Sequence, residues 1–294
     1  VEIFGIPLQA FLGQLMLGLV NGSFYAMLSL GLAVIFGLLG IVNFAHGALY
    51  MIGAYVAWGC LEYAGLNFWV ALLVAPIVVG ALGVLIERTL LKRLYKIDPI
   101  YGLLMTFGLA LIAEGVFRDQ FGVSGQQYPV PELLQGATNL GFMVLPNYRA
   151  FVIVASLVVC LVTWYTIERT RLGSYLRAGT ENPALVQAFG INVPLMVMLT
   201  YAAGAGLAAI AGVLAAPVIQ ITPLMGSNLI IVVFAVVVIG GMGSILGSIL
   251  TGLMLGIIEG LTKVFYPEAS SIVVFVIMAI VLMIRPTGLF GKEM

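Results

Sequence analysis

Eight apolar stretches, at about 8–38, 43–61, 69–86, 100–117, 150–167, 196–216, 229–258 and 270–285, alternate with polar segments in which basic residues cluster. No other feature constrains the fold as much. A helix rising 1.5 Å per residue crosses the hydrocarbon core of a bilayer in about 20 residues, so most stretches can cross once, some with tilt. Hydrophobic residues fill 62% of the 294 positions and charged residues only 8%, against about 25% in a soluble domain. A soluble core of this size cannot hide so much apolar surface, and lipid must act as the solvent. The expectation is an all-α, polytopic bundle of about eight or nine membrane segments, forming a single domain over residues 1–294.

Basic residues set the orientation, because Lys and Arg in short loops stay on the cytoplasmic side. Arg88, Lys92, Arg93 and Lys96 form one cluster, and Arg169, Arg171 and Arg177 a second. Segments 88–98 and 168–195, with the tail carrying Arg285 and Lys292, are thus expected on the cytoplasmic side. Segments 62–68, 118–149, 217–227 and 261–269 are expected outside. Trp58, Tyr63 and Trp69 bracket one outer turn, and Trp164 with Tyr165 marks an inner boundary. Loop 118–149 contains Pro129, Pro131 and Pro146 and is too polar to cross; a lid or docking surface and a solvated connector both fit it. Stretch 8–38 is too long for one straight span and carries Asn21-Gly22 at its middle, which suggests two pieces. Stretch 229–258 contains Gly240-Gly241-Met242-Gly243-Ser244 and reads as a short, re-entrant segment followed by a full helix near 244–260. Irregular backbone survives at membrane depth only when protein shields it or it lines a cavity.

Several chemistries find no support. Net charge is zero and no basic tract points to nucleic acid. No Gly-x-x-x-x-Gly-Lys-Ser/Thr phosphate loop is present, and a single histidine rules out a His-Glu-x-x-His zinc site. No catalytic residue and no metal ligand set is therefore assigned. Gly204-Ala205-Gly206-Leu207-Ala208-Ala209 fits a loose dinucleotide fingerprint, but no strand precedes it, and helix packing is the better reading. Cys60 and Cys160 lie in apolar runs and read as buried small hydrophobes rather than a disulfide. No cleavable signal is expected, since the start lacks a basic region; the first residue, Val1, fits a native start upstream.

Polar residues inside the spans are few and costly, and each has two readings. Glu114 either lines a substrate route or reaches the headgroups. Asn43 and His46, three apart, are expected on one helix face, for pore lining or for capping and interhelical hydrogen bonds. Asn21 and Tyr25 lie one turn apart, where they either bond a substrate's ammonium or amide or patch a helix break. Those five residues are the candidate translocation pathway. Glu259 is expected near the outer surface and solvated. Gly252, Gly256 and Gly260 recur every four residues, as do Gly243 with Gly247 and Gly18 with Gly22. Such stripes let helices approach closely, within a bundle or between subunits.

The segment from Arg171 to Asn192 carries the clearest local signal. Asn182 is a good N-cap and Pro183 suits the first helical position. Ala184 through Phe189 favour a helix, and Gly190 supplies a stop. Two turns measure about 10 Å, far too short to span. Leu185, Ala188 and Phe189 gather on one side at helical spacing, so the face needs a partner or must fold back onto the bundle.

This insert resembles the coupling segment of membrane subunits of ABC importers, in the family for branched-chain amino acids (the LivH type). The stretch from Gly37 to Tyr55, with Asn43-Phe44-Ala45-His46-Gly47 at its centre, is similar to that family's most recognisable sequence, and Val238 to Ser244 also fits. The resemblance covers nearly the whole chain. It implies a permease with a short cytoplasmic coupling helix that pairs with a homologous second permease (LivM type), two cytosolic ATPase subunits and a periplasmic substrate-binding protein. It also implies that this chain holds no cofactor, ATP and Mg2+ being held by the partner subunits. By the match, Arg177, Ala178, Glu181, Asn182, Pro183, Ala188 and Gly190 belong to the ATPase-contacting element. Relatives that handle urea or short amides leave the cargo open.

Two other classes compete. An ion-driven secondary transporter needs an essential buried carboxylate, and Glu114 is the one poor candidate. An intramembrane enzyme using His46 with Glu114 is disfavoured, because the expected topology puts those groups on opposite sides of the bilayer.

Overall fold

The computed structural model describes residues 2–3, 6–40, 42–95 and 97–291. Lys96 and Lys292 of the basic set, and Ile41 of the 37–55 motif, lie outside the described residues. Among the described residues the chain is overwhelmingly helical: α1 Leu8–Leu39, α2 Ala45–Ala64, α3 Phe68–Thr89, α4 Pro99–Phe121, α5 Asn147–Arg169, α6 Arg171–Glu181, α7 Pro183–Ala188, α8 Val193–Ala215, α9 Met225–Gly240, α10 Ile245–Phe265 and α11 Val273–Ile284. The strands are short and antiparallel, Glu2–Ile3 with Ile6–Pro7 and Ala137–Asn139 with Val144–Pro146. Loop 118–149 thus holds a small hairpin and a 3-10 turn at Glu132–Leu134.

Among the described residues, six helices are long and apolar enough to cross a membrane: Leu8–Gly37, Phe68–Arg93, Pro99–Phe121, Asn147–Arg169, Val193–Ala215 and Ile245–Phe265. Helices α9 and α11 are apolar but shorter. Helix starts follow side-chain caps. Asn67 accepts from the Val70 amide, Asp98 from Ile100, Asn192 from Leu195 and Ser244 from Gly247, at 3.0–3.1 Å.

Contacts divide the chain into two compact units. One comprises Val1–Ser29, Pro129–Cys160 and Ile231–Met294; the other comprises Leu30–Tyr128 and Leu161–Ile230. In the second unit α2, α3 and α8 pack as a core of small residues. A Cβ on Gly53 would lie 2.5 Å from the Ala209 Cα, and one on Gly83 2.9 Å from the Ala205 Cβ. The Gly204–Ala209 run sits inside α8, with Gly204 against Ile35 and Gly31, and does the packing expected of it.

In the first unit the glycine-rich break falls between α9 and α10. Gly241 and Gly243 adopt φ of 99° and 86°, which L side chains rarely tolerate. Helix α10 resumes at Ile245 and runs to Phe265, five residues beyond the expected end. The C-terminal tail folds over the broken end of α9. The Leu289 amide donates to the Ile239 carbonyl at 2.8 Å and the Phe290 amide to Gly240 at 3.1 Å, satisfying acceptors left without helical partners.

Two expectations need correction. Residues 8–38 form one continuous helix through Asn21-Gly22 rather than two pieces, because Gly22 sits directly on the Leu253 backbone of α10 and the contact holds the helix together. Cys60 is half-exposed rather than buried, whereas Cys160 is buried; both are free thiols.

Candidate functional site

The segment expected to meet a partner is built from two consecutive helices. Helix α6 turns Gly173, Leu176 and Gly179 inward. Sequence reasoning missed it as a helix because its glycines argue against one. The fold explains them: a Cβ on Gly173 would overlap the Ile167 carbonyl, and one on Gly179 would lie 2.8 Å from the Met196 methyl. Arg177 fastens α6 to the end of α5, donating to the Ile167 carbonyl at 3.2 Å with Glu168 at 3.5 Å. Ala178 and Glu181 face solvent.

Asn182 joins the two helices. Its amide donates to the Ala178 carbonyl at 3.0 Å, closing α6, while its Oδ1 accepts from the Leu185 amide at 3.0 Å, opening α7. Pro183 takes the first helical position and Gly190, at φ 82°, ends the turn. Only Val186 of α7 turns inward, at 6% exposure, and anchors the helix. Leu185 is 54% exposed and Phe189 78%, with Ala188 exposed beside them. The apolar face has not folded back onto its own unit.

Pro183 and Gln187 of α7 border a cavity of about 660 Å³ that Arg88 and Lys92 of the first basic cluster also line. Both basic segments therefore gather at one end of the second unit. At the cavity edge the Tyr95 phenol donates to the buried Glu87 carboxylate at 2.8 Å. Burial, then that hydrogen bond, pushes the phenol well above its ordinary value.

A family model described as "Branched-chain amino acid transport system / permease component" matches residues 14–282. The chain belongs to that family. Similar members include the high-affinity branched-chain amino acid transport system permease protein BraD of Pseudomonas aeruginosa and its counterpart LivH of Escherichia coli K12. Each is 31% identical, over 96% of both chains. The permease protein LivM of the same Escherichia coli strain is 26% identical over 90% of this chain and 67% of its own. A solved chain, PsaBC from Streptococcus pneumoniae in complex with Fab, shares the fold at TM-score 0.50 and 16% identity, over 94% of this chain and 92% of that one.

The candidate pathway residues of this permease fall in both units. Asn43 and His46 do not share a helix face, since Asn43 precedes α2 and His46 lies in its first turn. Asn43 instead reaches α8, its Nδ2 donating to the Tyr201 hydroxyl at 3.0 Å. Its Oδ1 is buried with no hydrogen-bond partner among the described residues. The His46 ring is buried against Gly31, where a Cβ would lie 2.8 Å from its Cε1. The Phe44 amide donates to the Thr106 hydroxyl at 3.1 Å, tying this turn to α4. Glu114 is held by Arg118 at 2.7 Å and accepts from the Ser227 hydroxyl at 2.6 Å, linking α4 to the start of α9.

In the first unit, Asn21 is half-buried and Tyr25 buried. Glu259 is not solvated as expected. Its side chain is 14% exposed, accepting from the Tyr25 hydroxyl on one oxygen and the Lys263 ammonium on the other, both at 2.6 Å. A carboxylate at this depth is tolerated because both oxygens are satisfied. Tyr25→Phe is expected to cost about 2 kcal/mol, the typical worth of a hydrogen bond to a charged group, read as a lowered unfolding midpoint. An unchanged midpoint would show that the pair contributes nothing.

The Gly252, Gly256 and Gly260 stripe of α10 meets α1 of the same chain. Gly256 lies on Gly22 and Gly18, Gly260 on Gly18 and Gln14, and Gly252 on Ala26. Tyr201, Ser227 and Lys263 went unread. The available signal was a hydroxyl or amine in or beside an apolar stretch, which must find a partner but does not name it.

Proposed function

We propose that this permease is the membrane subunit of an ATP-driven ABC importer. It carries branched-chain, aliphatic amino acids across the bacterial inner membrane after delivery by a periplasmic binding protein. In this reading α7 is the coupling helix: the 168–195 segment faces the cytoplasm and 118–149 the periplasm. The chain acts as one permease domain whose crossings rise to eight or nine when two or all three of α2, α9 and α11 join the six long spans. A second permease of the LivM kind completes the pathway, and two cytosolic ATPases hold the ATP and Mg2+.

One observation carries the reading. A capped two-turn helix presents Leu185, Ala188 and Phe189 to solvent while Val186 alone holds it down. A rigid, greasy projection of this kind suits a partner's groove. Coupling then needs only that one ATPase state bind α7 more tightly; a differential of about 1.4 kcal/mol shifts the permease tenfold between conformations. The branched-chain cargo named for the relatives suits a pathway poor in charge. Glu114, already neutralised by Arg118, is ill placed to carry a coupling ion.

Purifying the intact assembly through this chain tests the proposal. A sister permease and two nucleotide-hydrolysing subunits are expected to co-purify, and leucine, isoleucine or valine to compete best for the associated binding protein. Transport by the chain alone, without ATPase subunits, would overturn it.

A further inference from the structure

We infer that this permease holds one glycerophospholipid of single negative charge in the cavity beside α7. The cavity lies where two candidate spans end, Phe68–Arg93 and Val193–Ala215, and therefore at the level of headgroups. Its wall changes character as a phospholipid does. Leu195, Val197 and Met198 of α8 offer an apolar side continuous with the span, and Leu195 is exposed towards the surroundings.

At the headgroup end stand Arg88 and Lys92. Both are exposed, and neither has an ion-pair partner among the described residues. Side-chain amides of Gln187 and Asn192 border the same space. Because Asn192 Oδ1 already accepts from the Leu195 amide, its NH2 is left as a donor. Arg88 and Lys92 offer two cations to a phosphodiester, and Glu87 on the same wall is already engaged by the Tyr95 hydroxyl. A soluble anion would use the cations but leave the apolar wall wet. A phospholipid covers both, and basic pockets between membrane helices are where anionic headgroups settle. Since Pro183 and Gln187 belong to α7, occupancy bears directly on the helix proposed for docking. Assignment to the inner leaflet rests on that proposed orientation; the site itself does not.

The test uses the full chain purified from membranes in mild detergent, with retained phospholipid read by native mass spectrometry. One phosphatidylglycerol is expected to stay bound per chain, in preference to phosphatidylcholine. In the Arg88→Gln, Lys92→Gln double variant its affinity is expected to drop roughly 30-fold, about fivefold for each lost cation. Arg88→Lys with Lys92→Arg is expected to keep the lipid, and so are Arg169→Gln and Arg171→Gln, which lie off the cavity. Equal retention by the neutralised variant, equal retention of phosphatidylcholine, or displacement of the lipid by inorganic phosphate alone would each overturn the assignment. Neither ATPase nor cargo enters this measurement, so its failure would leave the transport reading standing, and the reverse holds too.

Discussion

Replacing Phe189 with aspartate is expected to abolish ATP-driven uptake while the protein still inserts and folds. Phe189 is 78% exposed at the C-cap of α7, so the substitution removes little contact within its own unit. The frame that positions it is untouched: the Asn182 cap, Pro183 at the helix start, buried Val186 and the Gly190 stop. A docked aromatic of this kind is worth about 3 kcal/mol, and a buried unpaired carboxylate opposes docking further. About 3 kcal/mol corresponds to a loss of roughly 150-fold. Uptake into proteoliposomes should therefore vanish while ATP hydrolysis, measured in the same vesicles, no longer responds to loaded binding protein. Phe189→Leu keeps the apolar contact and should retain most activity. Normal uptake by the aspartate variant would remove α7 from the coupling pathway.

The second large effect is expected at Gly256. A Cβ there would overlap the Gly22 Cα and amide nitrogen and lie 2.5 Å from the Gly18 carbonyl oxygen. All three neighbours are backbone atoms, so no side chain can swing aside. Gly256→Leu must push α1 and α10 apart, opening the contacts at Gly252 and Gly260 along the same stripe. Overpacking typically costs about 1–3 kcal/mol, and this site should lie at or beyond the upper end. In lipid the separated helices gain nothing from water exclusion, since the acyl chains solvate them as well as each other. Thermal unfolding in detergent should show a clear loss of stability, and Tyr25, bonded to Glu259 across the same contact, should lose that partner. Gly108→Leu is the control, because nothing lies within 4 Å of a Cβ at Gly108. Equal unfolding midpoints for the two variants would refute the close contact.

How much of this was legible in the chain depends on the range of the interaction concerned. The long apolar stretches were legible, though not how many of them cross, because hydropathy over about 20 residues is a property of the segment itself. The break at Gly240–Ser244 and the cap at Asn182 were legible for the same reason: each is decided within four residues by backbone conformation and the nearest amides. Helix α6 was not, since Gly173 and Gly179 weigh against a helix locally and are accounted for only by Ile167 and Met196. Asn43 was put on the wrong surface because a spacing of three implies a shared face only inside a helix, and the helix begins after it.

Polar groups mark the boundary most plainly. The chain itself determined that Tyr25, Asn43 and Glu114 lie in or beside apolar stretches, whereas Glu259 reads as solvated. Arg118 and Lys263 are local partners of Glu114 and Glu259, but the bonds of Tyr25 to Glu259, Asn43 to Tyr201 and Glu114 to Ser227 span 113 to 234 residues. Only the packed structure decides such pairs, because a hydrogen bond is made by atoms within about 3 Å of one another and local pattern is blind to which distant helix arrives there. The same holds for the glycine stripe. Periodicity showed that α10 has a face for close approach, but only the close seating of Gly256 on Gly22 assigns that face to α1 of the same chain rather than to another subunit.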